Sequence, residues 1–306
     1  MKEGRRIRGA SILLLGALAI AASSQSALGQ GVSPCPASTI AGGPGEDILN
    51  GTPNGETIRG LGGNDTASAL QGNDCVDGGD GDDTINGGAG EDSLTGGAGL
   101  DSINGALGSD AITGDDGDDE LTGGGGNDRI LGGMGFDLVA GGLGEDRVEG
   151  GEGPDDLNGG QDDDVVTGGD GFDFLSGGLG DDRLDGQDGP DDLGGGRGND
   201  RLSGGSGKDF IDGGLANDRL SGGSGPDRLS GGLGNDRISG GKGNDAIDTG
   251  LGNHAIAAGP GNDRIIAVNG RRDRVDCGPG RDRATVDASE TRVRRCEVVL
   301  RTRRSR

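Results

Sequence analysis

A nine-residue unit repeats without insertion or deletion from Gly42 to Ile266, 25 times in 225 residues. One copy is Gly231-Gly232-Leu233-Gly234-Asn235-Asp236-Arg237-Ile238-Ser239. The pattern is Gly-Gly-x-Gly-x-Asp, one variable residue, one aliphatic residue and one variable residue. Position six is Asp in 23 of 25 copies, with Glu56 and His254 the exceptions. Position eight is Leu, Ile or Val in 24, Ala67 being the exception. Position four is Gly in 22; Asn54, Asp162 and Ala216 differ. A fixed period of this kind forces a stacked, quasi-one-dimensional architecture in which each unit buries its apolar residue only against its neighbours.

The residue types suggest what the stack holds. Glycine tolerates positive φ and lets backbone carbonyls turn toward an ion. Aspartate supplies a short, hard, anionic oxygen, the donor that Ca²⁺ prefers. A single aliphatic residue between two variable ones fits a short strand with one side chain inward and its neighbours outward.

The pattern resembles the calcium-binding nonapeptide of the RTX (hemolysin-type) family, over about three quarters of the chain. The resemblance implies an all-β, right-handed parallel β-roll with two nonapeptides per coil. Six residues form a calcium-binding turn and three a short strand. Ca²⁺ is then held between turns stacked on one side, by Asp carboxylates and backbone carbonyls. Ligands on one side recur every 18 residues. The first row is Asp47, Asp65, Asp83, Asp101, Asp119, Asp137, Asp155, Asp173, Asp191, Asp209, Asp227, Asp245 and Asp263. The second begins at Glu56, continues through Asp74, Asp92, Asp110, Asp128, Asp146, Asp164, Asp182, Asp200, Asp218 and Asp236, and ends at His254. Adjacent Asp pairs number 12 in the first row and nine in the second, an upper bound of 21 paired sites. All three position-four exceptions fall in the second row, so the first is expected to bind metal more regularly. Glu56 and His254 read as weak outermost copies. Ala216 is expected to leave its turn strained or open.

Composition sets the energetics. The net charge is −25, with 75 Gly, four Phe and no Trp or Tyr. One aliphatic side chain per nine residues does not offset chain entropy, and stacked carboxylates repel. The metal-free chain is therefore expected to be disordered, and metal binding to supply folding free energy. The acidic balance argues against nucleic acid as a partner of the repeats. A rod of 12.5 coils at a strand spacing of ~4.8 Å is expected to be ~60 Å long.

Residues 1–29 read as an export signal. Lys2, Arg5, Arg6 and Arg8 precede an apolar run from Ile12 to Ala22, too short to span a bilayer comfortably. The route, general or twin-arginine, stays open. Without these residues the net charge is −28, and filling 21 paired sites with Ca²⁺ would add +42, so partial occupancy is expected. Residues 30–41 form a lead-in, 42–266 the roll, and 267–306 a C-terminal cap and basic tail. The cap holds a partial unit, Cys277 to Asp282, and a strand near Cys296 to Leu300. From Arg271 to Arg306 there are 12 Arg against six acidic residues. Binding of the tail to an anionic envelope polymer is the functional reading of that excess; a solvated tail is the plain one.

Four cysteines in an exported chain suggest disulfides. Of three connectivities the local one, Cys35–Cys75 with Cys277–Cys296, is favoured because it staples both ends of the rod. Position seven differs between the two strand faces. Leu138, Phe174 and Phe210 lie on one, and Arg129, Arg147, Arg183, Arg201, Arg219 and Arg237 on the other. Gly-Pro-Asp at 153–155, 189–191 and 225–227 adds a period of 36.

Catalysis is not expected. The only histidine is His254, so Ser/His and Cys/His schemes lack a base. The G-x-x-x-x-G-K-[ST] phosphate loop is absent. The chain thus reads as a secreted or surface-associated calcium-binding module that folds on Ca²⁺ after export and does not span a membrane. The alternative is an adhesin or surface-layer component in which calcium only stiffens the rod.

Overall fold

The computed structural model describes residues 35–287 and 292–302. The proposed export signal and the last four residues of the basic tail lie outside them.

The described chain is all-β, a parallel solenoid of about 14 turns formed by two 15-stranded sheets. Odd-numbered repeats, counted from Gly42, feed one sheet and even-numbered repeats the other. Each strand pairs with the strand two later in the chain. Thr84, Ile85 and Asn86 oppose Ser102, Ile103 and Asn104, an offset of 18 residues. The architecture is the one expected from two units per coil and is consistent with a right-handed β-roll.

Side-chain alternation explains the core. In the strand Arg147–Glu152 the residues at positions seven and nine are exposed, while those at eight and one are buried. The position-eight residues form one continuous column of apolar contacts, from Leu49 through Ile112 and Leu184 to Ile265. Ala67 is buried in that column like the larger side chains. Most strands between Thr57 and Lys242 are six residues long rather than three, because they run on into the first three residues of the next repeat. The turn itself is correspondingly short.

Glycine is required for two different reasons. At position one the φ is ordinary, but a Cβ on Gly78 would lie 2.2 Å from Oδ2 of Asp83 and 2.6 Å from the carbonyl oxygen of Gly96. At position four the chain turns through positive φ, 138° at Gly180. Ala216 keeps that left-handed conformation, with φ of 89°, and its N–H still donates to the Leu233 carbonyl at 2.7 Å. Its turn is therefore strained and closed, not open. Asp162 does the same at φ of 75°.

Both ends extend the ladder beyond the strict nine-residue register. Thr39–Ala41 pairs with Thr57–Gly62 in the 18-residue offset, so part of the lead-in is already a strand of the roll. After Ile266 one extra residue enters: Ala255 opposes Arg274 and Arg264 opposes Arg283, offsets of 19. Gly270, at φ of 73°, lies in the segment that takes up the added length. The strand Arg274–Asp276 then pairs with Arg292–Arg294, and Arg283–Asp287 with Val298–Thr302.

The two disulfides are Cys35–Cys75 and Cys277–Cys296, with Cα atoms 5.5 and 5.2 Å apart. Cys75 sits at position seven, an outward place, yet is buried. Among the described residues no helix is long and apolar enough to cross a membrane.

Candidate metal centre

Position six follows the strand's inward alternation, and this places every Asp from Asp65 to Asp263 inside the roll. Each carboxylate has two distinct oxygens. Oδ1 accepts the backbone N–H of the position-six residue one coil earlier. Asp65 N–H donates to Asp83, Asp101 to Asp119, Asp191 to Asp209 and Asp245 to Asp263, at 2.7–3.0 Å. Oδ2 is buried and has no hydrogen-bond partner in any Asp of the two rows from Asp65 to Asp263. The same oxygen explains the glycine at position one, whose Cα it overhangs.

The electrostatics follow from that burial. Removal from water pushes the carboxyl of Asp92 up to about 6 and those of Asp101, Asp155 and Asp191 up to about 7. The backbone N–H bond to Oδ1 opposes the rise in each case. A second contribution is repulsion from the carboxylates one coil away, such as Asp119 and Asp83 on Asp101. Buried anions with an unused oxygen call for either a proton or a cation.

The donor set suits a hard divalent cation. Among the described residues no three carboxylate, thiol or imidazole groups converge on one point. A closed zinc-type site is therefore not built here. Oxygen ligands beyond a pair of Asp side chains have to come from the backbone or from water. Carbonyls are available: no backbone N–H donates to the position-four carbonyls of Gly81, Gly99 or Gly117 among the described residues. Carboxylate plus carbonyl oxygen is the ligand chemistry of Ca²⁺.

The RTX calcium-binding nonapeptide repeat, described as four copies, matches residues 50–85, 77–112, 104–139, 140–175, 158–193, 188–220 and 221–253. Together these span residues 50–253, two thirds of the chain. The chain belongs to this RTX family. It is a calcium-binding β-roll module, and its repeats bind Ca²⁺ at multiple sites. No curated protein matches it.

Several members of the RTX ladder fall outside the nine-residue register. Asp273 and Asp282 are buried and continue the two rows: His254 N–H donates to Asp273 Oδ1 at 2.8 Å, and Asp263 N–H to Asp282 Oδ1 at 2.9 Å. Glu297 then accepts the N–H of Asp282 at 2.6 Å. The signal for Asp273 was the string Gly270-Arg271-Arg272-Asp273-Arg274-Val275, displaced by one residue.

The two exceptional position-six residues behave differently. His254 is not an outermost copy. Its Nδ1 accepts the Asp236 N–H at 3.2 Å and lies 3.1 Å from Asp236 Oδ2, so an imidazole stands inside the second row between two aspartates. Glu56 is at the opposite end. Its longer side chain bends back to accept from the Thr52 N–H and hydroxyl. Asp47, in the first repeat, is more exposed, and its Oδ2 accepts the Gly43 N–H at 2.6 Å.

Position five, variable in the sequence, carries its own ladder in the later even repeats. Asn217, Asn235 and Asn253 each donate through Nδ2 to the Asn one coil earlier, at 3.0–3.2 Å. Their backbone N–H groups do the same.

Proposed function

We propose that this chain is an exported module that stays unfolded in a calcium-poor cytoplasm and coils up when Ca²⁺ becomes available outside. Its ions sit between successive Asp side chains of each row, supplemented by backbone carbonyls. The residues concerned are the 23 position-six aspartates from Asp47 to Asp263. The observation that carries this reading is the file of buried Oδ2 atoms without a partner. Left as bare anions at neutral pH they oppose folding. A divalent cation shared by two coils removes that penalty and joins the coils at the same time. Folding and loading are then one cooperative process. Extracellular calcium modules bind at roughly 10⁻⁴–10⁻³ M, which suits a switch thrown by leaving the cell.

The module is not an enzyme on this reading. His254, the only histidine, is walled in between carboxylates with no access for a substrate.

Calcium titration followed by calorimetry and far-ultraviolet circular dichroism tests the proposal. Chelated protein is expected to lack a β spectrum and to recover it cooperatively on Ca²⁺ addition. A β spectrum that is unchanged by chelator at neutral pH would overturn it.

A further inference from the structure

The outward face of the even-repeat sheet carries a feature unrelated to calcium. Arg183, Arg201, Arg219 and Arg237 stand in direct register on four successive strands. All four are exposed. Successive guanidinium stems are therefore about 4.8 Å apart along the rod. Like charges placed directly opposite on neighbouring strands destabilise a sheet. Close ion pairs do not relieve these: among the described residues neither Arg147–Glu149 nor Arg295–Asp276 involves the four, and the nearest compensation is the longer-range attraction between Arg201 and the exposed Asp181. An open groove of about 260 Å³ runs beside them, lined by Arg183, Arg201 and Arg219 with Ser203 and Ser221. Asp185 occupies the serine position at one end of it.

We propose that this arginine ladder is a binding groove for a linear acidic polysaccharide, a polymer with one carboxylate per sugar ring. The ladder's step is close to the length of one hexose unit in an extended chain; neighbouring rings of such a chain face opposite ways, so the carboxylates on one side meet every second arginine. The planar guanidinium fork matches a carboxylate with two parallel hydrogen bonds. Serine hydroxyls beside the row suit ring hydroxyls, as donors or acceptors.

Other polyanions fit less well. The chain as a whole has a net charge of −25, so a wide duplex would press its phosphates against acidic turns on both sides of the row. Single-stranded nucleic acid is held by stacking its bases on aromatic rings. The four phenylalanines of the chain, at 136, 172, 174 and 210, are in odd repeats, and Phe174 and Phe210 lie on the other sheet. This inference needs only an ordered sheet. It does not depend on export or on which aspartates hold the ions.

The test uses the full chain saturated with Ca²⁺, its fold checked by circular dichroism. Its binding to short galacturonate oligomers, too short to gel with calcium, is measured by calorimetry. Neutral galactose oligomers, polyphosphate and oligothymidylate are measured alongside. Galacturonate is expected to bind best, with affinity falling as salt rises. The double variant Arg201→Gln/Arg219→Gln should weaken it at least tenfold. A control with the same charge change on the other sheet, Arg228→Gln/Arg264→Gln, should stay within twofold of the unaltered protein. If the double variant fails to fold, Arg219→Gln alone carries the comparison, with a loss of several-fold expected. Three results would overturn the proposal: no galacturonate binding, equal weakening in ladder and control variants, or tighter binding of polyphosphate or oligothymidylate than of galacturonate.

Discussion

The backbone N–H of Asp155 donates to Oδ1 of Asp173 at 2.9 Å, while Oδ2 of Asp173, on the same carboxyl group, is buried without a partner. One side chain thus holds two coils together through one oxygen and leaves the other, the one proposed above to take a cation, without a hydrogen bond. The two roles separate by mutation. Asp173→Asn keeps an acceptor for the Asp155 N–H but removes the charge. It should raise the calcium midpoint of folding while making the metal-free chain no less ordered. Asp173→Ala strands a buried N–H, which costs about 1–3 kcal/mol, and should raise the midpoint further. Calcium titrations of both variants by circular dichroism decide; equal midpoints would show that the Asp155 bond contributes nothing.

Acid should partly replace calcium. The folded-state carboxyls of Asp92, Asp101 and Asp155 are pushed up to about 6, 7 and 7 by burial, above the ordinary 3.8 of an unfolded chain. Their protonation favours the folded state. That stability is fully present below about pH 4 and is lost as the pH rises through 6 to 7. Chelated protein should therefore gain β structure on acidification from pH 7.5 to about pH 4. Dilute samples are needed, because the isoelectric point is about 4.2. A metal-free spectrum that stays disordered across this range would contradict the assignment of the carboxylate row as the main obstacle to folding.

Position four sets a backbone requirement that Ala216 meets at a cost. Left-handed φ at a non-glycine residue costs roughly 1–2 kcal/mol. Ala216→Gly should stabilise the calcium-loaded protein by about 1 kcal/mol in denaturant unfolding, part of the gain being offset by glycine's greater freedom in the unfolded chain. Gly78→Ala should do the reverse through sterics, since its Cβ would fall 2.2 Å from Oδ2 of Asp83. Overpacking of this kind typically costs about 1–3 kcal/mol.

The Cys35–Cys75 bridge ties the lead-in to the fourth repeat across 40 residues of sequence. Cys35→Ser/Cys75→Ser should lower stability by about 2–4 kcal/mol if the whole roll melts as one unit. If coils fray independently, as a one-dimensional stack allows, hydrogen exchange will instead speed up only around Thr39–Ala41 and Thr57–Gly62. Amide exchange of the oxidised protein and the double variant, both in Ca²⁺, distinguishes the two.

Much of this was legible because one residue per repeat decides one thing. Leu, Ile or Val at position eight gave the core column, and Asp at position six gave the buried carboxylates. The disulfides followed from their nearness to the ends of the rod. Three features were not legible, each for a physical reason. Strands extend across the repeat boundary because Gly79 and its equivalents enter left-handed φ without leaving the hydrogen-bonded ladder. Asp273 and Glu297 were hidden because pairing is set coil against coil, so a turn absorbs an added residue while the sequence period breaks. The Asn199 to Asn253 stack was hidden because a side-chain amide helps only when the same residue recurs 18 positions away, which no single repeat displays.

The single residue added between Ile266 and Asp273 shifts the offset from 18 to 19 and leaves both sheets unbroken. Length is thus a local matter in this molecule, absorbed where it arises. Excising a whole winding from the middle would bring together two faces already shaped to meet. The rod is in that sense a ruler whose graduations can be added or removed without redrawing the rest.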